Sequence, residues 1–164
     1  MLSRTNYETP IGTLYLIADQ QILLAAGFKG FDDLTQRLSP EDAAREIKSV
    51  KEIPVISDLV DDYFNGDISA LNSIQVRQPG STFYQSVWKA MRKIPVGKTW
   101  SYADLAKRSG SADAVRATGT ACSSNLIAAI IPCHRIVKSG GALGNYAYGV
   151  EVKQWLLRHE GALQ

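Results

Sequence analysis

The period of the apolar positions changes several times along this chain, and each change marks an element. In the stretch 9–28, Gly12-Thr13-Leu14-Tyr15-Leu16-Ile17-Ala18 reads as a strand. Asp19-Gln20-Gln21 reads as a turn, and residues 22–28 as the returning strand of a hairpin. Acidic, helix-prone segments follow at 32–38 and 41–50. From 55 to 64 the period becomes helical: Val55, Leu59 and Tyr63, with Ile56, Val60 and Phe64, form one apolar face, and Asn65-Gly66 stops the run. Residues 67–80, carrying Asn, Ser, Gln, Pro and Gly, read as a boundary. The expected division is a structural α/β lobe over 1–78 and a second lobe over 79–164.

In the second lobe, Ser81 or Thr82 caps a helix running to about Ile94, with Phe83, Val87, Met91 and Ile94 as its buried stripe, helped by Trp88. Pro95-Val96-Gly97-Lys98 is a turn. Ser101, with Asp104 at the third helical position, resembles a capping box opening a helix to Arg108. A second helix is expected from about Ser111 through Ala121, so the pair reads as a helix-turn-helix. This second helix carries Ala112, Ala114, Ala117, Gly119 and Ala121, and only Arg116 projects far. Small residues suit a packed helix pair and equally suit close docking in a nucleic-acid groove. The Asn, Gln and Arg side chains that read base edges are scarce, which favours shape over sequence if the partner is DNA. The apolar run 126–131 reads as a buried strand or core linker. The glycine-rich stretch 139–149 reads as a surface loop or the flexible wall of a pocket. A closing helix over 151–159 buries Val152, Trp155 and Leu156, and Gly161 stops it.

Charge sharpens this division. Net charge over the 164 residues is only +2, but residues 1–80 carry 7 Lys+Arg against 12 Asp+Glu (−5), and residues 81–164 carry 11 against 4 (+7). A polyanion partner for the second half alone fits, as do scattered solvated lysines. No apolar run approaches the roughly 20 residues needed to span a bilayer, and the start lacks a secretory pattern, so an intracellular protein is expected. Two cysteines form no disulfide framework, and with two distant histidines they offer no zinc spacing, so no metal is expected.

The chemistry concentrates at Ile131-Pro132-Cys133-His134-Arg135-Ile136-Val137. A thiol becomes a nucleophile through a neighbouring base or positive charge. Adjacent side chains on an extended segment point to opposite faces, so Cys133 and His134 need a turn or a bridging water to cooperate. Taken alone, the pair also fits an inert buried thiol beside an unrelated histidine.

The wider pattern resembles the O6-alkylguanine-DNA alkyltransferases, proteins that move an alkyl group from guanine to their own cysteine. The residues carrying the resemblance are Pro132-Cys133-His134-Arg135, Ser101-Tyr102, Arg116-Ala117, Asn125 eight residues before the cysteine, Gly144-Asn145-Tyr146, and the stretch from Lys153 through Trp155-Leu156-Leu157 to His159-Glu160-Gly161. The resemblance spans 81–163. It implies an α+β fold, with an N-terminal ribonuclease-H-like α/β lobe and a mostly helical, winged helix-turn-helix-like second lobe. It implies Cys133 as alkyl acceptor, activated through a water by His134, with Glu160 orienting the imidazole, and Tyr102 as proton donor to the departing guanine. Asn125 becomes a hinge. Arg116 fills the gap left by the rotated nucleotide, with Ser101, Ala114, Ala117, Thr118 and Arg135 also on the DNA side. Pro132, Ile136, Tyr146, Ala147, Tyr148 and Lys153 line the substrate pocket. Backbone groups of Cys133, Ile136 and Ala147 would read the guanine edges. No cofactor is implied, and the partner is double-stranded DNA bearing O6-alkylguanine. The protein would be monomeric and cytoplasmic, nucleoid-associated if prokaryotic, with no membrane partner, and side-by-side assembly on DNA stays open. Tyr148 departs from the small glycine common at its position, which bears on bulky adducts such as benzyl. Cys122, without a neighbouring base, reads as structural, and Trp88, Trp100 and Trp155 as core. A recognition protein without repair activity and a multiple-turnover cysteine hydrolase are the competing readings. A dimeric transcription regulator fits the recognition helix poorly.

Overall fold

The structure, a computed structural model, describes residues 1–164. The fold is α+β, with strands and helices in the order β1 (Leu2–Thr9), β2 (Gly12–Asp19), β3 (Ile22–Gly27), α1 (Phe31–Arg37), α2 (Pro40–Ala43), β4 (Ile47–Ser49), α3 (Ile56–Phe64), β5 (Gln75–Val76), α4 (Thr82–Met91), β6 (Trp100–Ser101), α5 (Tyr102–Arg108), α6 (Val115–Ser123), β7 (Ile136–Val137) and α7 (Val150–His159). Two compact units result. The first is Met1–Pro79 with Leu126–Ile130, and the second is Gly80–Asn125 with Ile131–Gln164. The chain therefore returns to the first unit for five residues, which a single cut at 78/79 does not provide. No helix is long and apolar enough to cross a membrane.

The first unit is a five-stranded mixed sheet of order β4-β1-β2-β3-β5, antiparallel along β1-β2-β3 and parallel at both margins. The expected hairpin is β2-β3. It gains β1, whose residues Ser3-Arg4-Thr5-Asn6 lack an apolar alternation but pair with Ala18 to Tyr15. The segment 41–50 is not one helix. It splits into the short α2, capped by Ser39 Oγ accepting from the Asp42 N–H, and the strand β4. Leu23 to Ala26 are all buried, as a strand covered on both faces requires. Leu2, Ile17, Leu24, Ala25, Leu34, Leu38 and the returning Leu126 form one cluster, where each fully buried Leu or Ile contributes about 1.5–3 kcal/mol. Of the two readings of 126–131, the core linker holds: all six residues are buried but form no strand. Only an isolated parallel bridge joins Ile127 to Ala26, with Ala26 donating to Leu126 O at 2.9 Å and Ala128 donating to Ala26 O at 3.0 Å.

In the second unit, Ser81 Oγ caps α4 by accepting from the Tyr84 N–H. The helix stops at Met91, short of Ile94, because Pro95 biases its predecessor away from helical angles. Trp88 is core, as expected. Its Nε1 donates to Ala121 O at 2.9 Å, tying α4 to α6. Its ring leaves no space over Gly80, where a Cβ would lie 2.7 Å from the indole. The capping box of α5 is formed in both directions between Ser101 and Asp104. The following helix starts later than expected, at Val115. Residues 111–114 form a turn instead, closed by Ala114 donating to Ser111 O at 2.9 Å, and no side chain caps α6. Two-residue strands β6 and β7 pair in parallel, Trp100 with Ile136 and Ser101 with Val137.

Candidate active site

Pro132 makes a tight turn at φ −85°, ψ 66°, with the Cys133 N–H on Ile131 O at 2.9 Å, and Cys133–Arg135 then form one 3₁₀ turn. The segment is therefore not extended at the cysteine, so the opposite-face geometry of a strand does not apply. Asn125 holds the approach. Its Nδ2 donates to Ile131 O at 3.0 Å and lies 3.7 Å from Cys133 Sγ. Cys133 is half-buried and Cys122 buried, and both are free thiols.

His134 has no exposed surface. Its Nε2 faces Glu160 Oε2 at 2.9 Å, and its Nδ1 has no hydrogen-bond partner. Burial pushes the imidazole below its ordinary range, against the pull of Glu160. A neutral ring facing a carboxylate carries its proton on Nε2 and leaves the Nδ1 lone pair bare. Burial alone would raise the Glu160 carboxyl, but its partners His134 and Arg135 outweigh that and hold it at about 2. A neutral His134 supplies a hydrogen bond without a charge, so Arg135 is the permanent cation. Its Nε donates to Glu160 Oε1 at 2.8 Å, and its Nη1 donates to Ile94 O at 3.0 Å.

This geometry corrects the reading of Arg135 as a DNA contact. The side chain is 2% exposed and committed to Glu160. Thr118 is likewise removed from the DNA-facing set, being fully buried with an unpartnered Oγ1. Arg116 and Ala117 are exposed, Ala114 is half-buried at the N-cap of α6, and Ser101 spends its hydroxyl on the α5 cap.

Burial pushes the Cys133 thiol up, opposed by Asn125 and the Lys153 charge. The resting sulfur is therefore protonated at neutral pH and needs a base. Burial, with smaller contributions from both thiols, also raises the Tyr102 hydroxyl, keeping it a proton donor. Its ring lies against α6, where a Cβ at Gly119 would sit 3.9 Å from two ring atoms. Lys153 is fully buried yet pairs with no carboxylate. Its Nζ donates to Ile136 O at 2.6 Å and Leu143 O at 2.5 Å, linking the segment after the cysteine to the glycine-rich loop. In that loop Tyr146 and Tyr148 meet edge to face at 5.6 Å, both half-buried, while Ala147 is exposed; Pro132 and Ile136 are buried.

Sequence reasoning missed two supporting positions. Gly97, at φ +86°, brings its Cα side close to Glu160, where a Cβ would lie 3.1 Å from the Glu160 carbonyl oxygen. Ile94 offers the carbonyl that fixes Arg135. Only the turn signal at Pro95-Val96-Gly97 hinted at either. Among the His, Cys, Asp and Glu side chains, no group of three or more is placed to hold a metal ion.

Comparisons with known proteins fit this site. A family model described as the DNA-binding domain of 6-O-methylguanine DNA methyltransferase matches residues 82–162. The chain is 36% identical to a methylated-DNA–protein-cysteine methyltransferase of Salmonella typhimurium over 99% of this chain and 97% of that one. It is 32% identical to the protein of the same name from Methanosarcina acetivorans, over 95% and 96%. Among solved structures, Mycobacterium tuberculosis OGT in complex with DNA superposes with a TM-score of 0.80 at 28% identity, covering 98% of this chain and 93% of that chain.

Proposed function

The chain belongs to the methylated-DNA–protein-cysteine methyltransferase family, and we propose that it repairs O6-alkylguanine in double-stranded DNA by moving the alkyl group to Cys133. The observation that carries this reading is the bare Nδ1 of a neutral, buried His134, one residue from a protonated thiol and fixed from behind by Glu160. That is the nucleophile, base and orienter arrangement of an activated thiol.

In the reaction, His134 takes the thiol proton through a bridging water, and Cys133 Sγ attacks the alkyl carbon. The S–C bond forms as the C–O6 bond breaks, and the electron pair stays on the guanine. Tyr102 donates a proton to the ring, so the base departs neutral; the imidazolium then returns its proton to the tyrosinate through solvent, and in net terms the thiol proton ends on the guanine. A thioether has no easy leaving route, so each molecule acts once. The O6 substituent is unreachable inside the stack, so the nucleotide must be rotated out. Exposed Arg116, alone among small residues on α6, fills the gap from the minor-groove side. Asn125 acts as the hinge before the cysteine, and the loop carrying Tyr146, Ala147 and Tyr148, braced by Lys153, walls the pocket.

Residues 1–78 form a structural ribonuclease-H-like lobe in this reading, supported by the antiparallel β1-β2-β3 meander and the parallel β4. Residues 79–164, less the five that return to the first unit, form a winged helix-turn-helix-like lobe that binds DNA and carries out the transfer. The protein works as a cytoplasmic monomer. Mixing it with a duplex containing O6-methylguanine and weighing the intact protein tests the proposal. A gain of one methyl group, and never two, is expected. Unchanged mass with lesion-selective binding would point to a recognition protein, and unchanged mass without lesion preference would overturn both.

A further inference from the structure

Within the second unit, strand β6 is two residues long and turns directly into α5, whose first residue is Tyr102. Its partner β7 follows at once on the 3₁₀ turn Cys133–Arg135. The parallel pairing of Trp100 with Ile136 and Ser101 with Val137 therefore ties the residue before Tyr102 to the segment that leaves the cysteine. So short a ladder is weak by itself, and the direction in which α5 leaves it depends on what holds the junction.

Asp104 holds it. Its Oδ2 accepts from the Ser101 N–H at 3.2 Å, and Ser101 Oγ accepts from the Asp104 N–H at 3.0 Å. This reciprocal pair occupies an N–H that could otherwise prolong the ladder, and it fixes Ser101 at φ −77°, ψ 165°, from which the chain enters the helix. At the far end of α5 the Arg108 guanidinium lies over the Trp100 ring, 4.3 Å from its centroid, so α5 is fastened to β6 at both ends. Tyr102 itself is half-buried, with its ring beside Gly119 of α6 and its hydroxyl within electrostatic reach of both Cys122 and Cys133. We infer that Asp104 is a positioning residue for the transfer: through the capping box it sets the entry of α5, and so holds the Tyr102 hydroxyl where the departing guanine takes its proton. The inference rests on the alkyl-transfer reading above. Asp104 acts only through Tyr102, because its carboxylate is spent on the Ser101 N–H, and small misplacements of a reacting group cost rate steeply.

The test is a double-mutant cycle with Tyr102→Phe. Single-turnover transfer from an O6-methylguanine duplex is measured at saturating protein, so that duplex affinity drops out of the rate. Asp104→Ala is expected to transfer about fivefold or more slowly than the parent. Asp104→Glu keeps a carboxylate at the third helical position and should return to within about twofold of the parent rate. In the Tyr102→Phe background, Asp104→Ala should slow transfer by less than about twofold, because the group it positions is already gone. The same loss in both backgrounds would mark a merely structural cap and overturn the inference, as would a parent rate in Asp104→Ala. Should Asp104→Ala not fold, Asp104→Asn, which keeps an acceptor oxygen without the charge, takes its place with the same expected split. If the parent protein transfers nothing, the alkyl-transfer reading fails separately. The NMR signal of the Tyr102 ring, assigned by its loss in Tyr102→Phe, then reads the same question: a signal that moves in Asp104→Ala and returns in Asp104→Glu supports positioning, and one that stays in place refutes it.

Discussion

The two units bury charge in different ways. In the first, the buried carboxylate Asp42 sits between two partly exposed arginines, Arg77 at 3.0 Å and Arg45 at 3.5 Å, which also share Asp19. Charges balance, water reaches the rim, and the cluster ties α2 to the sheet. The second unit buries His134, Arg135, Lys153 and Glu160 within 27 residues. One carboxylate serves both His134 and Arg135, and Lys153 has only carbonyl partners. With His134 neutral, Arg135 and Glu160 balance, and Lys153 is left with carbonyl oxygens, its ammonium pushed below the ordinary range by burial. Burying a charge without a counter-charge is costly. In the alkyl-transfer reading, a thiolate formed transiently at Cys133 supplies the negative charge that Lys153 lacks. The first cluster balances within itself, whereas the second leaves one buried group without a counter-charge.

Several changes would break that contrast. The largest effect is expected for Glu160→Gln, which leaves Arg135 buried without its carboxylate. It should cost about 3–5 kcal/mol of stability, read by denaturant unfolding, and slow transfer together with it. Tyr102→Phe keeps the ring on Gly119 but loses the proton, so transfer should fall by about 100-fold at unchanged stability. Asp42→Asn is the opposite case: it should cost about 1–3 kcal/mol and leave the transfer rate unchanged. Arg116→Ala should shift stability by less than about 0.5 kcal/mol, as exposed substitutions do. It should slow transfer from duplex while sparing a single-stranded oligonucleotide, which has no gap to fill.

Acid sharpens the contrast further. The Glu160 carboxyl is lowered from 4.5 to about 2 on folding. Its contribution to stability is therefore complete above the unfolded value and lost as pH falls from about 4.5 through about 2. His134 is also depressed, so its neutral form persists below the ordinary imidazole range. The transfer rate should be flat across neutral pH and fall only on the acid side of that range, which a single-turnover pH profile would show.

Much of this was legible in the sequence, because periodicity and caps are local. The β2-β3 hairpin, most of the apolar face of α3, the Ser81 cap and the Ser101–Asp104 box all follow from neighbours in the chain, but Val55, expected on that face, lies outside the helix at its N-cap and is 45% exposed. What was not legible depends on partners far away. Nothing in Leu2-Ser3-Arg4-Thr5 announces a strand until β2 pairs with it. Arg135 beside the cysteine resembles a DNA contact, and only Glu160, 25 residues on, takes it into the core. Thr118 follows exposed Arg116 and Ala117, and its burial, like that of Ala121 and Cys122, is decided by the packing of α6. The apolar run at 126–131 fits a strand or a core linker by every local criterion; its burial bears out the linker, and positive φ at Ala129 (68°) interrupts any strand.

Both cysteines lie in the second unit, and they offer the most direct test of the account. Burial pushes the Cys122 thiol up to about 12, and its Sγ contacts Met91 Sδ at 3.8 Å. Cys133 alone is flanked by the His134 base. After one turnover on an O6-methylguanine duplex, peptide mass mapping should place the methyl group wholly on the peptide carrying Cys133. Methyl on Cys122, or shared between the two, would contradict the claim that the His134–Glu160–Arg135 arrangement selects the nucleophile.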